Sequence, residues 1–294
     1  MRIYIICFIL SFLIFSTTIF GQSPNYDYQT TYLMETNRKG IRINGALIQT
    51  DSACLEENGV VMVPLLTFLS FARFSTLNDY ETEQFQADID GFLFYVDGVN
   101  DKIGFEDYQY SALVPPLFIN EECYVSFQDL SGLMSYDSTN GLISMSVGND
   151  FIERIENHCR EMQQSEIYVF PANESTIYKG KQPIHFNERT YIQNGYMMIP
   201  LRDTIQALYK NSEIQWNKEK KLVQAQLNDK YLTLDTVNQK FFINGEELYL
   251  EQNTEMINNH FFISLRDFAK ILGLYDTAIY WNEEVKSAYV RIIM

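Results

Sequence analysis

Positive charge is what this chain has least of. Over 294 residues, 22 Lys and Arg face 38 Asp and Glu, a net charge of −16. Phosphate neutralisation needs clustered basic side chains, so the balance argues against DNA, RNA or anionic lipid as a partner. Cysteine is scarce as well. Beyond Cys7, which lies in the N-terminal apolar run, only Cys54, Cys123 and Cys159 remain. Their spacing fits no zinc pattern, and an odd number in an exported chain leaves at least one thiol unpaired. Cys54 and Cys123 share one half of the sequence, and whether they pair is left open. Long apolar runs are limited to the N-terminus, so no membrane insertion is expected once that segment is removed. Neither G-x-S-x-G, nor a cysteine in a nucleophile context, nor a Gly-rich phosphate loop occurs. Paired carboxylates are uninformative in so acidic a chain. No catalytic, cofactor-binding or metal-binding residue is assigned, and the chain is not expected to be an enzyme.

What is present begins with an export signal. Met1-Arg2 supplies a positive charge, Ile3 to Phe15 is almost unbroken apolar, and Ser16 to Gly21 leads into polar Gln22. That layout predicts a signal peptide over residues 1–21 and a secreted or extracytoplasmic, cell-surface location. Retention of the segment as an anchor is the alternative. Residues 22–39 read as a flexible leader. The full chain is 46% hydrophobic and 15% aromatic, and the remainder reads as globular.

Within it one sentence is spoken repeatedly. Ile199-Pro200-Leu201-Arg202-Asp203 precedes Ile214-Gln215-Trp216-Asn217, and Ile263-Ser264-Leu265-Arg266-Asp267 precedes Ile279-Tyr280-Trp281-Asn282. The tryptophans are 65 residues apart and the arginines 64, so a whole supersecondary unit is repeated. Weaker copies run through Val61-Met62-Val63-Pro64-Leu65 and Cys123-Tyr124-Val125-Ser126-Phe127. Hairpin signals precede these copies at Asn44-Gly45, Asp97-Gly98 and Asn244-Gly245. Helix starts are expected at Pro64, Ser126, Pro200 and Ser264, as N-cap serines or residues of fixed φ. Each unit reads β-β-β-α-β-β. The fold class is α+β: two tandem domains of antiparallel sheet wrapped on short helices, built from four such units. They span residues 40–148 and 177–294, with a linker at 149–176. Within that linker Phe151, Ile152, Ile155, Cys159 and Met162 make one face of an amphipathic helix.

The repeated residues Arg202, Asp203, Trp216, Arg266, Asp267 and Trp281 are read as structural repeat marks. Each Arg, one turn into its helix, is expected to be buried and to bridge a carboxylate or carbonyls of the neighbouring unit. Trp216 and Trp281 are corner residues with a second possibility: contact with a ligand, by stacking on sugar.

These motifs resemble the copper amine oxidase N-terminal-like domain, also called the stalk domain, whose members repeat a pattern close to I-x-V-N-G … V-P-L-R … A-L-G … V-x-W-D. Phe242-Ile243-Asn244-Gly245, Ile263-Ser264-Leu265-Arg266, Ile271-Leu272-Gly273 and Ile279-Tyr280-Trp281-Asn282 carry the likeness. Residues 40–148 are a diverged copy, because Leu66 and Gln128 replace the arginines and neither corner has a Trp. The resemblance implies an antiparallel sheet wrapped on a helix, an exported bacterial protein and an accessory role beside other wall or surface modules. It does not imply oxidase activity, which resides in another domain of those enzymes. Asn25-Tyr26-Asp27 matches the core of the quinone-tyrosine motif, yet only His158, His185 and His260 are available for copper, with no H-x-H pair.

The reading that follows is an exported, non-catalytic envelope module that binds or spaces a cell-wall glycan or an envelope protein. A regulator that docks its acidic face on an extracytoplasmic enzyme or sensor is the alternative, and an enzyme with an unrecognised site is a third.

Overall fold

The structure, a computed structural model, describes residues 29–57, 60–210, 212–274 and 278–293. The expected signal peptide and Tyr26 lie outside the described residues. Among those described, no helix is long and apolar enough to cross a membrane.

Among the described residues five short helices punctuate an antiparallel β assembly: α1 (Leu65–Phe71), α2 (Phe127–Leu130), α3 (Phe151–Gln163), α4 (Leu201–Leu208) and α5 (Leu265–Leu272). The N-caps of α1, α2, α4 and α5 are Pro64, Ser126, Pro200 and Ser264, as the sequence predicts. Each unit is richer in strands than expected: five strands, a helix, then two strands. Asn44-Gly45 and Asn244-Gly245 take the positive φ of tight hairpins. At Asp97 the expectation of such a turn fails. There the carboxylate accepts from the Asn100 amide in a wider turn, and the positive φ falls on Asp101.

The two halves share one plan. In each, a four-stranded sheet is formed where the pre-helix strands of two units meet. Val60–Pro64 pairs with Glu122–Ser126 in the first half, and Tyr196–Pro200 with His260–Ser264 in the second. Val63 sits opposite Val125, and Ile199 opposite Ile263, so identical steps of two repeats face each other across a local pseudo-twofold. A five-stranded meander then crosses from one unit to the next, and a second five-stranded sheet closes the domain by pairing its first strand with its last.

That closure corrects two boundaries. Thr30–Glu35 is a strand rather than leader, paired along Leu142–Val147. Ser165–Pro171 is a strand rather than linker, paired along Ser287–Ile293. The amphipathic helix is α3, but Phe151, Ile155, Cys159 and Met162 belong to the core of the first domain. Its neighbours are the strands Lys102–Phe105 and Tyr108–Ser111. An amphipathic stripe shows that a helix is buried and does not show on what; α3 completes the core that begins at Tyr32. Cys54, Cys123 and Cys159 are buried free thiols.

The domains are joined by more than the chain. Along Ser287–Ile293 the even residues Ala288, Val290 and Ile292 enter the second core, as period-two alternation requires. On the opposite face, Tyr289 joins Tyr280 and Ile167 against Val60, Met62, Leu113, Val114 and Tyr124 of the first domain. Arg291, on that same face and only 5% exposed, reaches across. Its Nη2 donates to Asp129 Oδ1 at 2.7 Å and to the Ser111 carbonyl at 2.6 Å, and its guanidinium lies 5.2 Å from the Tyr110 ring. Asp129 is fully buried. Its backbone carbonyl accepts from the Tyr110 hydroxyl and from His158 Nε2, both at 2.7 Å. A Cβ at Gly132 would lie 2.4 Å from His158 Nδ1, so only glycine leaves room for the ring.

Removing one member of a buried pair strands its partner's charge. Arg291→Ala should therefore cost about 3–5 kcal/mol in urea unfolding, and Arg291→Met less, since Met restores apolar volume but leaves Asp129 unpaired. Equal loss in both would show that the charge pairing alone, rather than packing, holds the interface. His158 gives a pH signature. Burial, aided by nearby Arg291, pushes its pKa below the ordinary 6.5, so the folded state keeps it neutral. Its contribution is complete above the unfolded value and is lost as pH falls from about 6.5 through the lowered folded value. Melting temperature should decline over that window, and His158→Gln should flatten the decline.

Candidate functional site

The repeat marks separate into a buried half and an exposed half. Asp129, Asp203 and Asp267 are buried. Asp267 Oδ1 and Oδ2 accept from the Glu251 and Gln252 amides at 2.8 and 3.1 Å, and Oδ2 also accepts from Ser264 Oγ at 2.6 Å. Asp129 repeats the pattern with the Leu113 and Val114 amides and Ser126 Oγ. Asp203 takes the Asn187 amide at 2.5 Å and its side-chain Nδ2 at 3.0 Å. Each carboxylate sits in the first turn of its helix, where the exposed amide ends favour negative charge. Each ties that turn to the loop arriving sixteen residues earlier. In the first unit Thr67 occupies the equivalent position. A buried Glu122 substitutes from the neighbouring strand, accepting from the Leu66 amide at 2.7 Å and from Thr67 Oγ1 at 2.7 Å. Burial raises the pKa of Glu122 despite these donors.

The arginines do not behave as expected. Arg202 and Arg266 are exposed, and the expectation that they are buried is wrong. They follow a core leucine by one position on their helices, and the 100° step turns them outward while Leu201 and Leu265 turn in. Arg266 lies 3.8 Å from Glu251 and 6.0 Å from the Tyr196 ring centroid.

This exposed Arg forms one wall of a groove of about 640 Å³. The 192–197 hairpin supplies Ile192, Gly195, Tyr196 and Met197, and the C-terminal hairpin supplies Ile279, Trp281, Glu283 and Lys286. Asn194 and Gly195, at φ 51° and 82°, form the tight turn that carries Tyr196 to the rim. Trp281 is half-buried; it packs on the core, and its indole N–H donates to Glu283 Oε2 at 2.6 Å. Lys286 also holds Glu283. These two hydrogen bonds, that from Lys286 first, keep the Glu283 carboxyl below its ordinary range. A π face, a phenol, a guanidinium, an ammonium and a carboxylate thus border one apolar-floored depression. It can stack a ring and hydrogen-bond hydroxyl, amide or carboxylate groups. Sequence reasoning singled out Trp281 and Arg266 but missed Tyr196, Glu283 and Lys286. The Asn-Gly turn before Tyr196 was the available signal.

Arg202 and Trp216 lie on the other unit of the domain, away from this groove, and Trp216 is 45% exposed rather than packed into a corner. The histidines are dispersed: His158 is in α3, His185 bonds Thr176, and His260 faces Glu188. Among the described residues, no group of three or more His, Cys, Asp and Glu side chains is placed to hold a metal ion.

Residues 178–290 match a family model described as the copper amine oxidase N-terminal domain. The matched stretch contains both Arg-Asp pairs, both tryptophans and the groove, and it starts after the first domain ends. It supports a non-catalytic, stalk-like module for this half of the chain. No curated protein and no solved structure matches the sequence.

The division of labour between Arg and Asp has a measurable consequence. Asp267→Ala, which strands two amides and a hydroxyl, should lower unfolding free energy by about 3 kcal/mol. Arg266→Ala, at a 53% exposed side chain, should cost less than about 1 kcal/mol. The reverse order in urea titrations would return the arginine to a structural role.

Proposed function

We propose that this protein is an exported, non-catalytic module of the cell envelope, and that the groove between Tyr196, Arg266 and Trp281 holds a wall glycan. One observation carries the reading: an exposed arginine and two aromatic rings border a concavity on a domain whose family match lies outside oxidase chemistry. Sugar rings present C–H faces that stack on indole or phenol, and their hydroxyl and amide groups suit Arg, Lys and Glu at the rim. The acidic remainder of the surface keeps the protein soluble outside the cell. The apolar N-terminal run and polar cleavage region support export.

Trp216→Phe leaves Trp281 as the sole indole, so its fluorescence reports this groove alone. Wall-glycan fragments such as chitohexaose should shift its emission saturably, and Trp281→Ala should weaken retention on purified cell wall without changing the melting temperature by more than about 3 °C. A silent Trp281, with unchanged retention of the alanine variant, would defeat the reading and favour capture of an envelope protein instead. Fractionation should place protein beginning near Gln22 outside the membrane, and copper-supplemented protein should release no peroxide from amines. Cytoplasmic protein retaining Met1, or quinone absorbance with bound copper, would overturn export or the non-catalytic assignment respectively.

A further inference from the structure

The second domain contains an image of its own groove. The pseudo-twofold that places Ile199 opposite Ile263 exchanges the turn before Tyr196 with the turn before His260, and Arg266 with Arg202. It also exchanges the hairpin bearing Trp281 with the hairpin bearing Trp216. Where the image should fall there is a concavity of about 360 Å³, lined by Leu201, Arg202, Ile205, Ile214, Val223 and residues 258–261. Asn258 and Asn259, at φ 51° and 64°, repeat the tight turn of the first groove. Trp216 lies directly across the strand pair from Val223 and shares a strand face with Ile214.

The skeleton is kept while the charge changes. Glu283 of the first groove corresponds to Lys218, Lys286 to Lys221, and Tyr196 to His260. Lys218 and Lys221 are both exposed in the turn of the Trp216 hairpin. Arg202 makes no ion pair or hydrogen bond among the described residues, whereas Arg266 has Glu251. The first groove balances its cations with Glu283 and Glu251. The second is lined by Arg202, and Lys218 and Lys221 stand in the hairpin turn beyond Trp216 with Glu219 between them, while Glu188 is engaged with Asn258 and His260. A mainly cationic set near an exposed indole adds little to the fold, because these side chains are solvated. It is suited to a ligand that carries the missing negative charge on a ring that can stack.

We infer that the Arg202 groove is a second binding site, separate from the first, for an anionic saccharide. Trp216 stacks on a sugar ring, and Arg202, with Lys218 and Lys221, takes its carboxylate or phosphate group. The domain is then bivalent, with one site for neutral and one for charged parts of a wall polymer. Either site can fail without the other.

Because the chain has two tryptophans, one at each groove, single-indole variants of the full protein separate the sites. In Trp281→Phe, Trp216 emission should shift saturably with oligogalacturonate or with poly(glycerol phosphate), and not with chitohexaose. The two polymers distinguish carboxylate from phosphate as the anion recognised. The response should weaken as NaCl is raised from 20 to 300 mM, since both partners are exposed charges. Arg202→Gln in that background should reduce affinity at least about tenfold while leaving the far-UV circular dichroism unchanged. Silence of Trp216 towards both anionic polymers, an equal response to chitohexaose, or equal affinity with Arg202→Gln would each overturn the inference. The Trp216→Phe variant reads the other groove independently, so loss of one response does not speak for the other.

Discussion

The contact on which most of this structure depends is the carboxylate of Asp129. It closes the first turn of α2, holds the loop at Leu113 and Val114, and receives Arg291 from the other domain. Two ions removed from water repay their desolvation only when the geometry and the surrounding hydrogen bonds are good. Here the Asp129 oxygens accept from two amides, a hydroxyl and a guanidinium, while Arg291 Nε has no partner among the described residues. Incomplete satisfaction is tolerable in a contact whose service is orientation. An Arg that meets one carboxylate, one carbonyl, one thioether sulfur and one ring fixes how the domains meet, and the apolar contact of Tyr280 and Tyr289 then adds stabilisation without direction.

Asp129 is also an instance of a contact that recurs through the fold. Asp203 and Asp267 do the same for their own loops, and Glu122 does it from another strand where the helix offers only Thr67. The requirement that survives is a buried carboxylate at an exposed helix turn, because backbone amides removed from water need acceptors whatever residue supplies them. In the first domain one such carboxylate, Asp129, also serves the interface. In the second, the Arg that follows the core leucine faces solvent. The halves thus divide labour: the outer face of the first central sheet, at Val60, Met62 and Tyr124, is covered by its neighbour. The second keeps two open grooves.

Much of the fold was legible because it is written in short-range terms. Ser264 with Asp267, Pro200 before Leu201, and Asn44-Gly45 act through φ preferences and capping bonds within a few residues, so the four helix starts and two tight hairpins could be placed in advance. Pairings over long separation were not legible. Thr30–Glu35 has too few apolar residues to announce a strand, and only its partner, more than a hundred residues away, makes it one. The arginines misled for a related reason. Recurrence shows that a position matters to the unit, and the choice between the core and solvent side of α5 rests on which neighbour the leucine finds.

The sequence by itself determined the repeat, its α+β grammar, the helix caps and the excess of negative charge, since each is set by composition or by contacts only a few residues apart. Tertiary structure decided that α3 belongs to the first core, that both faces of Ser287–Ile293 are buried, and that Arg291 meets Asp129. It also brought Tyr196 to Arg266 and Trp281. Those outcomes depend on which surfaces exclude water together. Period-two and helical patterns mark a residue as apolar or polar, and only the packed chain specifies the surface it is buried against.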